Sequence, residues 1–120
     1  MSNKQDNTLV IYQKYLDLLY YSNDLVRKYP KSEKFALVQE IKQTLYTGLR
    51  CIVYAQKEFS KKDKLKYLNE LDVNMVLLKL HIRMSYNYQY ITMKNYNAWS
   101  SKLTDICNML GAWIMSCLKK

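Results

Sequence analysis

Lys79 and Arg83 stand four residues apart, with apolar neighbours and no carboxylate at helical spacing to neutralise them. On one helix face such a pair is a repeated cation row suited to phosphate groups. A second concentration lies upstream. Lys57, Lys61, Lys62, Lys64 and Lys66 place five cations within ten residues, against the two acids Glu58 and Asp63. Lys31 and Lys34 form a smaller third group. The bland alternative for the 57–66 cluster is a solvated turn. Tyr86, Tyr88 and Tyr90 follow the Lys79/Arg83 pair. They are suited either to stacking on unpaired bases or to packing at a helix end.

Bond-making chemistry has little to work with. The lone histidine, His81, has no Cys or His at ligand spacing, and the chain holds no ExxH pair for a bundle di-metal site. Gly48 and Gly111 are isolated, so no glycine-rich loop is available to cradle a phosphate. Asp17 and Asp24, like Glu33 and Glu40, are seven residues apart on helix faces, and Lys28 follows Asp24 at i+4. These read as solvated ion pairs. The expectation is a protein that binds and does not catalyse, with neither cofactor nor metal.

Long helices must position these groups. The chain has 120 residues, with only 2 Gly and 1 Pro, too few breakers for a β-sandwich or barrel. Its hydrophobic share of 49% supports a folded core. Three interruptions divide it: Tyr29-Pro30-Lys31-Ser32, Phe59-Ser60-Lys61-Lys62-Asp63, and Gln89-Tyr90-Ile91-Thr92. Ser32, Ser60 and Thr92 are the expected N-caps, with Asp63 completing an approximate capping box. The predicted helices cover approximately 8–28, 33–58, 63–88 and 93–118 in one domain spanning 1–120.

Apolar residues recur within each at alternating steps of three and four. The rows are Tyr12, Tyr15, Leu19 and Val26; Val38, Ile41, Leu45, Gly48 and Ile52; Leu68, Leu71, Met75, Leu78 and Ile82; and Tyr96, Trp99, Leu103, Ile106, Leu110, Trp113 and Cys117. Such rows are bundle seams. Short connections make the helices antiparallel neighbours. The predicted fold is an all-α, antiparallel, up-down four-helix bundle. Its third helix also carries Val73, Val76, Leu77, Leu80 and Met84 on other rows. That is more apolar surface than one seam uses, and self-association is expected to cover it.

Charge points to a polyanionic partner. The net charge is +9, and the excess grows along the chain, from 9 basic and 6 acidic residues in 1–60 to 10 and 4 in 61–120. Cys51, Cys107 and Cys117 form no CxxC pair. On one helix, Cys107 and Cys117 would be about 15 Å apart, too far to bridge. Three cysteines fit a reducing compartment. The first eight residues lack the apolar run of a signal peptide, and the uncharged stretch Ile106–Leu118 is shorter than a membrane span. A cytoplasmic protein with no membrane partner is expected.

Three stretches resemble the accessory variability determinant (Avd) proteins of diversity-generating retroelements. Tyr29-Pro30-Lys31-Ser32-Glu33-Lys34-Phe35 is similar to the family's turn into its second helix. Leu68 to Ser85 is similar to its third helix, with Asp72 at an acidic position and Lys79 and Arg83 at two basic ones. Tyr90-Ile91-Thr92, Asn95-Tyr96 and Met109 to Ile114 resemble the entry and end of the last helix. The likeness spans roughly 11–116. Cys107, Asn108, Ala112 and Met115 depart from the family's Gly or basic residues, with Lys119 and Lys120 as possible substitutes for the lost charge.

The resemblance implies a small basic accessory subunit, assembled as a ring-like homo-oligomer, a pentamer. It implies binding to the retroelement's reverse transcriptase and to template RNA or cDNA, in support of mutagenic retrohoming. Two alternatives stand beside it. One is a non-catalytic helical scaffold for protein partners; the other is the related bundle encoded in ribosomal RNA intervening sequences. Gly111, about 1 kcal/mol worse than Ala inside a helix, points to close approach of a helix of the same or another subunit.

Overall fold

The computed structural model describes residues 3–119. Four helices follow one another: α1 (Asn3–Val26), α2 (Leu37–Lys57), α3 (Lys61–Asn87) and α4 (Met93–Leu118), with a 3-10 turn at Lys31–Glu33 between the first two. Each packs on its neighbour in sequence, and α1 closes the square against α4. The α2–α3 contact is the most extensive and α1–α2 the least. The architecture is the expected antiparallel four-helix bundle, an elongated body of 47 × 25 × 19 Å. The α1–α2 and α3–α4 connections share one end. The other end holds the α2–α3 connection and the close of α4, where the Lys61 ammonium donates to the Lys119 carbonyl at 2.9 Å.

The predicted rows on α2 and α3 are buried as expected, and α4 buries Trp99, Leu103, Ile106, Leu110 and Cys117. On α1 the predicted Tyr15, Leu19 and Val26 are buried, whereas Tyr12 is only partly covered, and Ile11, Leu18 and Ser22 complete the core face. Ser22 is masked as a core position in the sequence because it is polar. Its hydroxyl donates to the Leu18 carbonyl (2.7 Å) and accepts from the Trp99 indole N–H (2.8 Å), joining α1 to α4. Thr44, Asn74 and Ser85, the other buried polar residues, likewise donate to carbonyls four residues back. Each thereby satisfies itself within its own helix.

The helix ends show which local signals held. Ser60 and Thr92 cap α3 and α4, accepting from the amides of Asp63 (3.0 Å) and Asn95 (3.1 Å). Ser32 does not cap α2. The chain makes its 3-10 turn there, and α2 starts four residues later than predicted, after Ala36, whose side chain makes no cap. Glu33 takes over: one carboxylate oxygen accepts from the Leu37 amide (3.3 Å), the other from the Tyr90 hydroxyl (2.6 Å). One side chain thus holds the start of α2 to the α3–α4 connection. Helix α3 ends in a Schellman arrangement, with the Gln89 amide on the Tyr86 carbonyl and the Tyr90 amide on that of Ser85. Gln89 stands at φ 65°, where glycine is usual.

Gly48 has a steric reason to lack a side chain. The Tyr15 hydroxyl crosses over it to donate to the Leu45 carbonyl at 2.6 Å, occupying the space a β-carbon would take. Leu71 closes the site from α3. Gly48→Ala is therefore expected to cost about 1–3 kcal/mol through overpacking, despite alanine's better helix propensity. Urea denaturation of Gly48→Ala, Tyr15→Phe and the double variant checks this. The double variant should lose less than the two single losses combined, because removing the hydroxyl vacates part of the space.

Candidate functional site

Helix α3 has two apolar sides. Leu68, Leu71, Met75, Leu78 and Ile82 face the core with at most 1% exposure. Val73, Val76, Leu77, Leu80 and Met84 fall on the opposite side by helical geometry and lie 40–58% exposed. Four branched aliphatics on adjacent turns make this a continuous stripe, unlike the isolated apolar residues common on any surface.

Lys79 and Arg83 line the edge of that stripe nearest α4. Both are exposed, and neither forms an ion pair among the described residues. Their place beside α4 is marked by Cys107. Burial raises that thiol's pKa, the Asp72 carboxylate adds to the rise, and the Lys79 ammonium opposes it. Asp72 therefore shares the edge, one stretch of α3 below Lys79. Gly111 on α4 is exposed, and a β-carbon there would meet nothing within 4 Å. Contact within the subunit does not explain this glycine.

The five lysines of the 57–66 cluster diverge in use. Lys64 donates to the Ala55 carbonyl (2.8 Å), closing the last turn of α2. Lys66 lies over the Tyr67 ring, 5.5 Å from its centroid, and Tyr67 in turn stacks on Tyr54. Lys57 and Lys62 remain exposed, and Lys61 brings Lys119 to the same end through its carbonyl contact. Lys120 lies outside the described residues. Lys31 and Lys34 sit at the opposite end, Lys34 being 5.4 Å from the centre of the Phe35 ring. The candidates thus lie at both ends of the bundle, with Lys79 and Arg83 on α3. Lys61 and Lys79 are about 27 Å apart along α3.

The tyrosines mostly pack. Tyr86 meets Tyr96 (4.8 Å between ring centres), and Tyr90 meets Tyr29 (5.0 Å) and Tyr88 (5.6 Å). The bond to Glu33 raises the Tyr90 pKa. Of Tyr86, Tyr88 and Tyr90, Tyr88 is the one that leaves half its surface open. The two exposed phenylalanines, Phe35 and Phe59, were not singled out from the sequence. Their signal was an apolar residue off the helical rhythm at a break.

Ordinary reactive groups are muted. Cys51 is buried, its thiol donates to the Glu70 carboxylate (3.3 Å), and burial with that bond pushes its pKa up to about 12. A thiol so held stays protonated and is a poor nucleophile. All three cysteines are free. Among the described residues no group of three His, Cys, Asp or Glu is placed to hold a metal ion. No helix of the described residues is long and apolar enough to cross a membrane.

His81 sits half-buried, with Nδ1 covered and unpartnered. Burial lowers its pKa below 6.5, against a smaller opposing pull from the Glu40 carboxylate. The unfolded chain therefore takes up this proton first, so stability rises with pH across the histidine range. The contribution is complete above about pH 6.5 and falls away below it. Thermal melts between neutral and mildly acid pH should show His81→Gln with a shallower decline than the parent chain.

The structure is a basic helical bundle in which a cation row, without an ion pair among the described residues, runs beside an open apolar face. The family model of the bAvd-like proteins matches residues 9–117, and the chain belongs to that family. Among curated proteins none matches it. In fold it is similar to the crystal structure of a protein of unknown function from the S23 ribosomal protein family of Bacteroides thetaiotaomicron. The two are 19% identical with a TM-score of 0.82, over 91% of this chain and 98% of that one.

Proposed function

We propose that this protein is a non-catalytic accessory subunit of a diversity-generating retroelement, binding its reverse transcriptase and its template RNA or cDNA to support mutagenic retrohoming. The observation that carries the reading is the Lys79/Arg83 row, exposed and free of any ion pair among the described residues. Membership of the bAvd-like family supports it. Contacts of this kind read phosphates and not sequence. Repeated copies of the row on an oligomer would turn modest patches into useful avidity. The free lysines of the α2–α3 end, with Lys31 and Lys34, supply further charge.

Nucleic-acid retention should accordingly depend on salt and on this row. If one assembly neutralises about six phosphates, affinity falls roughly a thousandfold between 50 and 200 mM salt. The charge reversal Lys79→Glu with Arg83→Glu should abolish retention of labelled RNA and DNA in filter binding while leaving the melting temperature nearly unchanged. Retention unaffected by both salt and reversal would instead favour a scaffold for protein partners alone. Co-purification with a retroelement reverse transcriptase, with and without nuclease, separates direct contact from tethering through a strand.

The exposed stripe of α3 is read as the surface by which copies of the chain assemble, the ring-like homopentamer of the resemblance being the expected form. Covering it removes branched aliphatic side chains from water at about 25 cal/mol per Å². Leu80→Glu should then leave the isolated fold intact, since the side chain is half exposed. The same change should lower the mass measured by light scattering towards that of one subunit. A parent chain that runs as a monomer under the same conditions would remove this part of the reading.

A further inference from the structure

We propose that Phe59 is a base-stacking residue, making the α2–α3 end selective for unpaired nucleic acid. This inference rests on the nucleic-acid reading above and adds a preference that phosphate contacts alone do not supply.

The connection around Phe59 is short and pinned on both sides. Glu58 caps α2 with its amide on the Tyr54 carbonyl, and the Ser60 side chain caps α3 on the Asp63 amide. Glu58 and Ser60 both hold extended backbone angles. The backbone is therefore ordered by its neighbours, whereas the ring of Phe59 is covered by nothing in the subunit. The ring buries nothing against the subunit, so it is not explained by folding.

Its charged surroundings select the occupant. Lys57, Lys61 and Lys62 flank it in sequence, and Lys119 is brought alongside by Lys61. None of the four forms an ion pair among the described residues, although Glu58 and Asp63 lie in the same segment. An exposed aromatic face among ammonium groups that no carboxylate pairs with matches a chain that alternates planar bases with phosphates. A duplex offers the phosphates but covers the base faces by stacking. The ring therefore adds affinity for a single strand and none for a duplex.

The test uses the full chain with a fluorescein-labelled oligouridylate, an oligothymidylate and a matching DNA duplex, read by anisotropy at fixed salt. Phe59→Ala should weaken single-strand binding roughly tenfold and leave duplex binding unchanged. Phe59→Trp and Phe59→Tyr should retain the preference. Phe59→Leu, apolar but without an aromatic face, should lose it as alanine does. Unchanged single-strand affinity in Phe59→Ala overturns the stacking role while leaving the nucleic-acid reading standing. Full retention by leucine also overturns it, in favour of an apolar contact such as a lipid surface, which anionic vesicles would report. A parent chain that binds none of the three probes removes both readings together. Because the ring touches nothing, all four variants should melt with the parent.

Discussion

A helix in a square of four has one side to bury, and α3 carries apolar residues on two. The core side is settled within the subunit by Leu68, Leu71, Met75, Leu78 and Ile82. The other side leaves Val73, Val76, Leu77, Leu80 and Met84 facing water. Such a stripe is costly for an isolated subunit and costs nothing once a second surface covers it. Lys79 and Arg83 run along its edge. Under the proposed reading, whatever covers the stripe also sets how these cations are arrayed, so assembly and electrostatics share one helix.

Charge on this molecule divides between fastening and display. Glu33 ties α2 to the α3–α4 connection, Lys64 closes the end of α2, and Lys102 and Lys14 of facing helices pair with Asp17 (2.8 Å) and Asp105 (3.8 Å) across the α1–α4 contact. Surface pairs of this kind contribute little energy each, but they consume carboxylates. With few acids in the chain and several engaged on α1 and α4, Lys79 and Arg83 on the outer edge of α3 form no ion pair among the described residues, although Asp72 shares that edge.

The rows of α2, α3 and α4 were legible because the spacing of apolar residues reports directly on a buried face. The caps at Ser60 and Thr92 were legible because the capping bond spans only three residues. What escaped depended on distant partners. Ser22 reads as an interruption of the α1 row until Trp99, from the far end of the chain, supplies its indole N–H. Ser32 looked like the start of α2, but Glu33 takes that role because Tyr90 braces its carboxylate. Lys64 was one of five equivalent lysines until the chain reversal placed the Ala55 carbonyl within its reach. Gly111 was open to two explanations, and the empty space over it removes the one within the subunit.

The crossing of Tyr15 over Gly48 has a consequence for the loosest contact in the bundle. Helices α1 and α2 touch less than any other neighbouring pair, so smooth aliphatic surfaces alone would allow them to slide. Displacement by one helical turn would bring the phenol against the β-carbon of Thr44 or Ile52 in place of the bare glycine. The pair therefore works as a detent: one notch admits the ring, its neighbours repel it, and the axial alignment of two weakly joined rods is fixed by a missing methyl group.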